Sequence, residues 1–338
     1  MERYEHGGQI YDAAGKVGSW LDFSANINPL GLSEKILQTL RENLGGVVNY
    51  PDPNATELKR AICRRYSADE KNLVVLNGAA EFFYLYFNAT RPARVVIPVP
   101  NFSEYERAAR AAGCEVKYFF TSAEENFSLD VEKIEVTCAD CVILARPNNP
   151  TGNLIAAEKI LQLAEVSNVV VDESFIDFLN AESVRKFVSK KISVVQSLTK
   201  IFAIPGLRLG FALVEENLAR RLNLSKDVWN VNFLAQKAGA AALEDEDFLR
   251  RTRAWLEVEK KFFVERLKNL GVKVFPPTAN FVLFRHERAE EILHKLRRKK
   301  ILLRSCANFA GLDETFLRSA IRSREENLRL FNALEKIF

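Results

Sequence analysis

A succession of short, β-branched apolar runs separated by helical stretches most limits what this chain can fold into. Val74–Leu76, Val95–Ile97, Cys141–Leu144, Val169–Val171, Val194–Val195 and Leu209–Val214 are brief and lack polar alternation. They read as strands buried on both faces. Ser103–Ala112 and Ala156–Ser167 between them carry helical patterns. Strands alternating with helices predict an α/β fold, a mostly parallel sheet covered on both sides.

The pattern changes towards the C-terminus. Residues 247–269 read as one long helix without Gly or Pro, stopped by Gly271. Shorter strands at Val272–Phe275, Phe281–Phe284, Ile301–Leu303 and Phe316–Ile321 follow, then a last helix to Phe338. The expected organisation is a large domain over 41–246 and a connecting helix over 247–269. Residues 270–338, with the irregular residues 1–40 packed onto them, form a smaller α+β domain.

Size and charge fit this reading. A chain of 338 residues suits about two domains. Hydrophobic residues at 48% and charged residues at 27% argue against disorder or low complexity. A net charge of only +4 gives no reason to expect nucleic acid and suits a small anionic substrate equally well. No apolar run reaches the roughly 18 residues of a membrane span, and the first residues lack the apolar stretch of a signal peptide. Five scattered cysteines argue against a disulfide framework and for a reducing cytoplasm.

In open α/β sheets ligands bind beyond the carboxyl ends of the strands. Asn77-Gly78-Ala79-Ala80 follows one run and opens a helix, a place where free N–H groups attract phosphate, though a plain turn explains it as well. Pro98–Phe102 follows the next; Phe102 is either a core aromatic or a platform for a planar ring. Asn148-Asn149-Pro150-Thr151-Gly152 is a rigid turn that can hold an amide at a ring hydroxyl. Asp172 ends a buried strand, where a carboxylate needs a partner: a helix cap, an ion pair or a protonated pyridine nitrogen. Ser197-Leu198-Thr199-Lys200 follows the last run, with Arg208 eight residues on. A lysine desolvated beside another cation becomes a nucleophilic amine, whereas a surface lysine merely snorkels.

Asn-Asn-Pro-Thr-Gly, Asp-Glu-x-Phe, Ser-x-Thr-Lys and Gly-Leu-Arg-x-Gly occur in this order. By that combination the chain resembles the fold-type I pyridoxal-phosphate enzymes of the class I/II aminotransferase group over nearly its whole length. The resemblance implies pyridoxal 5'-phosphate as cofactor, held covalently by Lys200. Asp172 would hold the ring nitrogen, Asn149 the ring hydroxyl oxygen, and Phe102 the ring face. Ala79, Ala80, Ser197, Thr199 and Arg208 would hold the phosphate. Tyr50 would reach the phosphate of a neighbouring subunit, making a homodimer with shared sites. Phe175 departs from many aminotransferases, which have a tyrosine there.

The ends of the chain narrow the resemblance. His6–Tyr11, Asp22–Pro29, Phe202–Arg208, Leu303–Phe309 and Ile321–Asn327 look like threonine-phosphate decarboxylases of cobalamin biosynthesis more than histidinol-phosphate aminotransferases, the alternative reading. In the former family His6, Asn28 and Arg304 would surround the substrate phosphate and Arg318 would bind the α-carboxylate. Arg322 stands where the aminotransferases usually have Gly, and the resemblance places it in the substrate site. Ser305 replaces an acidic residue expected after Arg304. The implied substrate is a phosphorylated amino acid.

Other signals are discounted. Cys138-Ala139-Asp140-Cys141 is a lone pair of cysteines, poor grounds for a metal site. Arg297-Arg298-Lys299-Lys300 reads as a solvated helix end. Trp20, Trp229 and Trp255 read as core or interface. Glu325-Glu326 reads as first-turn acid on the last helix, with no catalytic role.

Overall fold

The computed structural model describes residues 5–137 and 140–338. Cys138, half of the lone cysteine pair, lies outside the described residues. Cys141 is buried, and burial pushes its thiol up to about 12.

The chain begins with β1 (Leu21–Asp22), α1 (Glu34–Asn43) and α2 (Thr56–Tyr66). The alternating region runs β2 (Leu73–Leu76), α3 (Ala80–Thr90), β3 (Arg94–Val99), α4 (Glu104–Ala111), β4 (Glu115–Phe120), β5 (Asp140–Ala145), α5 (Ala157–Val166), β6 (Asn168–Asp172), β7 (Ile192–Ser197) and β8 (Gly210–Leu213). Three helices follow: α6 (Glu216–Ser225), α7 (Phe233–Leu243) and the long α8 (Glu246–Asn269). The last part comprises β9 (Lys273–Val274), β10 (Phe281–Arg285), α9 (Ala289–Arg298), β11 (Ile301–Leu302), β12 (Arg304–Ser305), β13 (Phe316–Ala320) and α10 (Arg324–Leu334).

The large sheet has seven strands in the order β2-β8-β7-β6-β5-β3-β4. β3 to β7 pair in parallel within it, as the apolar runs predict. β8 is the exception: it runs antiparallel to both β2 and β7, so it does not extend the parallel series. Residues 198–209, which join it to β7, hold the Lys200 loop and a single turn at Pro205–Leu207 but no α-helix, the usual crossover between parallel strands. β4 was not foreseen; as an edge strand with Glu115 and Lys117 it lacks the all-apolar signature.

Two apolar layers cover this sheet. One joins α3 and α4 through Phe82, Phe83, Phe87 and Ala108. The other packs Val142, Leu144, Val169 and Val171 against Ile160 and Leu163 of α5. A four-stranded antiparallel sheet, β12-β13-β10-β9, forms the C-terminal part. β1 pairs in parallel with β11, which stitches residues 21–22 to that part, while α1 packs on α7.

α10 starts with a capping box in which Ser323 and Glu326 satisfy each other's backbone. That accounts for the Glu325-Glu326 pair as first-turn acid. Arg297 and Lys300 stay exposed and lie over the Trp20 ring, at 6.0 and 4.6 Å. No helix among the described residues is long and apolar enough to cross a membrane.

Candidate active site

A cleft of about 320 Å³ opens where the carboxyl ends of the parallel strands meet the N-terminal segment and the small sheet. It gathers Ala79, Ala80, Phe102, Asn149, Asp172, Ser197, Lys200 and Arg208 from the first sheet, and His6, Arg304 and Arg318 from the ends of the chain.

Asp172 and Glu173 show how strand geometry divides labour. Successive side chains leave a strand in opposite directions. Asp172 points into the cleft. Glu173 points away, is fully buried, and meets Arg146 at 2.9 Å. Burial pushes the Glu173 carboxyl up, against the pull of Ser183, Arg185 and Arg146. Asp172 Oδ1 accepts from the Ser174 N–H at 2.8 Å.

Lys200 follows β7, its Nζ 3.0 Å from Ser197 Oγ. Burial lowers its amine from the ordinary 10.5 to about 8; Asp172 opposes that and Arg208 adds to it. The desolvation expected from sequence is therefore present. Phe175 puts its ring 6.0 Å from the same nitrogen.

At the head of α3, Gly78 has φ +79, and a Cβ there would sit 2.3 Å from Arg208 Nη2. A Cβ on Gly210 would meet the Ala79 N–H nitrogen at 2.7 Å. Both glycines are required by this close approach. Together they leave a corner bounded by a helix N-terminus, Ser197 and a guanidinium. Such a corner suits a phosphate. Thr199 does not line the cleft; it is buried behind it, its Oγ1 2.6 Å from Ser197 Oγ.

Asn148 closes the Asn-Asn-Pro-Thr-Gly turn by accepting from the Thr151 hydroxyl at 2.9 Å. Asn149 is left facing Arg318, which donates to its Oδ1 and, at 2.7 Å, to the Ser24 carbonyl. Arg318 is buried, and burial lowers it to about 10, so it stays cationic at neutral pH. Arg304 is buried too and donates to the Glu5 carbonyl at 2.6 Å and to Asn308 at 2.7 Å. His6 reaches the cleft from the other side, its ring 5.3 Å from that of Phe102.

Besides Thr199, three expected site residues lie outside the cleft lining. Asn28 is turned inward, donating to the Ile201 carbonyl and to Thr252 Oγ1, both at 2.8 Å. Arg322 donates to the Asp22 carbonyl at 3.0 Å and to Glu326 at 2.6 Å. It braces β1 against α10 and does not line the cleft. Tyr50 is 77% exposed and stacks on Trp229 at 4.1 Å, away from this chain's own cleft. Conversely, Tyr105, Glu104 and Ser24 were not singled out. Their contacts span long sequence separations, which no local pattern reveals.

The residues fit pyridoxal phosphate. Asn26 Oδ1, Ser174 Oγ and Arg318 Nε belong to residues that line the cleft and are buried polar atoms with no hydrogen-bond partner among the described residues. Beside them stand an amine, a carboxylate, an aromatic and an anion corner.

A mixed sheet with this lysine, aspartate and phosphate corner at its strand ends defines a fold-type I transferase. The chain belongs to the aminotransferase class I and II family, whose sequence pattern matches residues 18–334. It is 36% identical to the threonine-phosphate decarboxylase of Salmonella typhimurium, covering 98% of this chain and 96% of that protein. It is 33% identical to a bifunctional adenosylcobalamin biosynthesis protein of Leptospira interrogans, over all of this chain and 41% of the other. Among solved structures, the histidinol-phosphate aminotransferase of Clostridium acetobutylicum matches with a TM-score of 0.87 at 31% identity, covering 93% of this chain and 98% of that one.

Proposed function

We propose that this chain is a pyridoxal-phosphate-dependent decarboxylase that converts O-phospho-L-threonine to 1-amino-2-propanol phosphate for cobalamin biosynthesis in the cytoplasm. One observation carries the reading: Arg304 and Arg318, both buried, line the same cleft as Lys200. Two cationic forks facing one reactive amine suit a substrate with both a carboxylate and a phosphate. The full-length likeness to a threonine-phosphate decarboxylase supports the same substrate.

Each residue then has a task. Lys200 holds the cofactor and is the group placed to return a proton to Cα. Asp172 holds the ring nitrogen, Asn149 the ring hydroxyl oxygen and Phe102 the ring face. Ala79, Ala80, Ser197 and Arg208 hold the cofactor phosphate, with Thr199 bracing Ser197. Bound pyridoxal phosphate supplies an electron sink for whichever Cα bond stands perpendicular to its ring. Arg318 anchors the α-carboxylate, while Arg304 and His6 anchor the substrate phosphate. Their joint hold sets the rotation about Cα, and so carbon dioxide loss over proton loss.

The 41–246 unit carries the cofactor residues, and the smaller unit around 270–338 contributes both arginines. An exposed apolar face at Leu44, Val48, Tyr50 and Trp229 supports a homodimer in which Tyr50 serves the partner's cleft.

The alternative, a histidinol-phosphate aminotransferase, is favoured by the structural likeness to an enzyme of that name. Incubation of the holoenzyme with O-phospho-L-threonine separates the two. Stoichiometric carbon dioxide and aminopropanol phosphate support the decarboxylase. A keto acid with pyridoxamine phosphate, or turnover of histidinol phosphate with 2-oxoglutarate, supports the alternative.

A further inference from the structure

We infer that Tyr105 is a positioning residue for the reaction: its hydroxyl fixes the Asp172 carboxylate in the orientation that meets the cofactor ring nitrogen. This rests on the proposed role of Asp172.

Tyr105 is 1% exposed, and its hydroxyl donates to Asp172 Oδ2 at 2.7 Å. The Ser174 N–H holds the other oxygen at 2.8 Å. With one donor on each oxygen, the carboxylate is fixed at the wall of the cleft and keeps acceptor capacity for a further donor. Burial, and then the charge of Asp172, pushes the phenol well above its usual range. The hydroxyl therefore stays a donor throughout the working pH range.

The tyrosine cannot swing away. Phe83 and Phe102 pack against its ring edge-to-face, with centroids 4.7 and 5.5 Å away. Phe102 lies just ahead of α4, and its carbonyl accepts from the Tyr105 N–H at 3.3 Å. The loop-to-helix junction at the head of α4 thus places both the aromatic assigned to the ring face and the donor that aims the carboxylate. A shift of that junction would move both together.

The test is Tyr105→Phe in the holoenzyme, with Tyr86→Phe as control. Tyr86 is also buried, but its hydroxyl lies by Cys141, 3.8 Å from the sulfur, outside the cleft. Loss of a hydrogen bond to a charged group predicts a dissociation constant for pyridoxal phosphate raised about tenfold or more. It also predicts a moved pH midpoint of the bound cofactor's visible absorption. Tyr86→Phe should leave both unchanged. In an Asp172→Asn background the Tyr105→Phe effect on affinity should largely vanish, because the oxygen it orients has lost its charge.

Wild-type affinity and absorption in Tyr105→Phe would overturn the inference. So would an effect that persists in full with Asn at 172, or one matched by the control. If Tyr105→Phe does not fold, thermal melting shows it, and the Asp172→Asn pair with and without the hydroxyl decides. Failure of the unaltered chain to bind pyridoxal phosphate would overturn the reading of the cleft itself, and this inference with it.

Discussion

His6 Nε2 lies 3.0 Å from Glu104 Oε1, tying the segment ahead of β1 to the first turn of α4 across 98 positions of sequence. Tyr84 donates to the second oxygen at 3.2 Å, and Arg107 approaches the first at 3.4 Å. Burial alone would push the Glu104 carboxyl up; His6 and then Arg107 outweigh it and hold the carboxyl below its usual range. Glu104 is thus an anion at neutral pH that holds the His6 ring in place at the cleft. Glu104→Gln is expected to raise KM for O-phospho-L-threonine about fivefold with little change in kcat, the loss of roughly 1 kcal/mol of orienting contact. Steady-state kinetics at fixed pH check this; an unchanged KM would separate His6 from substrate binding.

Lys200 gives a pH prediction. With its amine near 8, about a tenth is neutral at pH 7, far more than for an ordinary lysine at 10.5. The neutral form is the nucleophile. Covalent capture of pyridoxal phosphate by the apo-protein should therefore speed up as pH rises and level off above about 8. Stopped-flow absorbance follows it. A midpoint near 10 would mean that burial does not act on this amine, and Lys200→Ala should abolish capture.

Arg318→Lys keeps the charge but loses the fork that grips Asn149 and Ser24. The expected result is a kcat/KM about 30-fold lower or worse, roughly 2 kcal/mol or more. Product analysis should show more transamination relative to decarboxylation, since the carboxylate is held less firmly. A variant with unchanged product ratio would remove Arg318 from control of that rotation.

Gly78→Ala places a methyl carbon 2.3 Å from Arg208 Nη2 and asks an alanine to adopt φ +79. The backbone term alone is about 1–2 kcal/mol. Cofactor affinity should fall further than stability does, because the guanidinium is displaced from the phosphate corner. Equilibrium dialysis alongside thermal melting compares the two.

Arg322→Ala should behave in the opposite way. It removes the bonds to the Asp22 carbonyl and Glu326, lowering stability by about 1–2 kcal/mol. KM for the phosphorylated substrate should hold. A large KM rise with normal melting would return Arg322 to the substrate site.

The site was legible wherever chemistry follows directly after a strand. Lys200, Asp172, Asn149 and the Ala79 turn are strand-end residues, and the sheet itself brings them together. Arginines 304 and 318 were legible only through likeness at the C-terminal end, since nothing local distinguishes them from other strand arginines. Asn28 and Arg322 shared that likeness, yet each is spent on one backbone carbonyl and one side chain outside the cleft lining. A motif fixes a residue's neighbourhood, while the direction of its side chain depends on partners such as Thr252 and Asp22. Tyr105 was invisible for the converse reason. Its helical spacing reads as core, and its partner lies 67 residues away. The direction of β8 also escaped, because apolar content marks burial and carries no sign for orientation.

β2 sits at the end of the large sheet, and its strand partner there is β8. The phosphate corner exists only where these two meet, with Gly210 against Ala79. On a growing chain, β2 leaves the ribosome long before β8 and waits as an unpaired edge. Lys200 emerges just ahead of the strand that completes the corner, and Arg304 and Arg318 emerge later still. The lining of the cleft is consequently complete only late in synthesis. A chain that stops short of β8 lacks Gly210 and Arg208's neighbouring strand, and so lacks the corner itself.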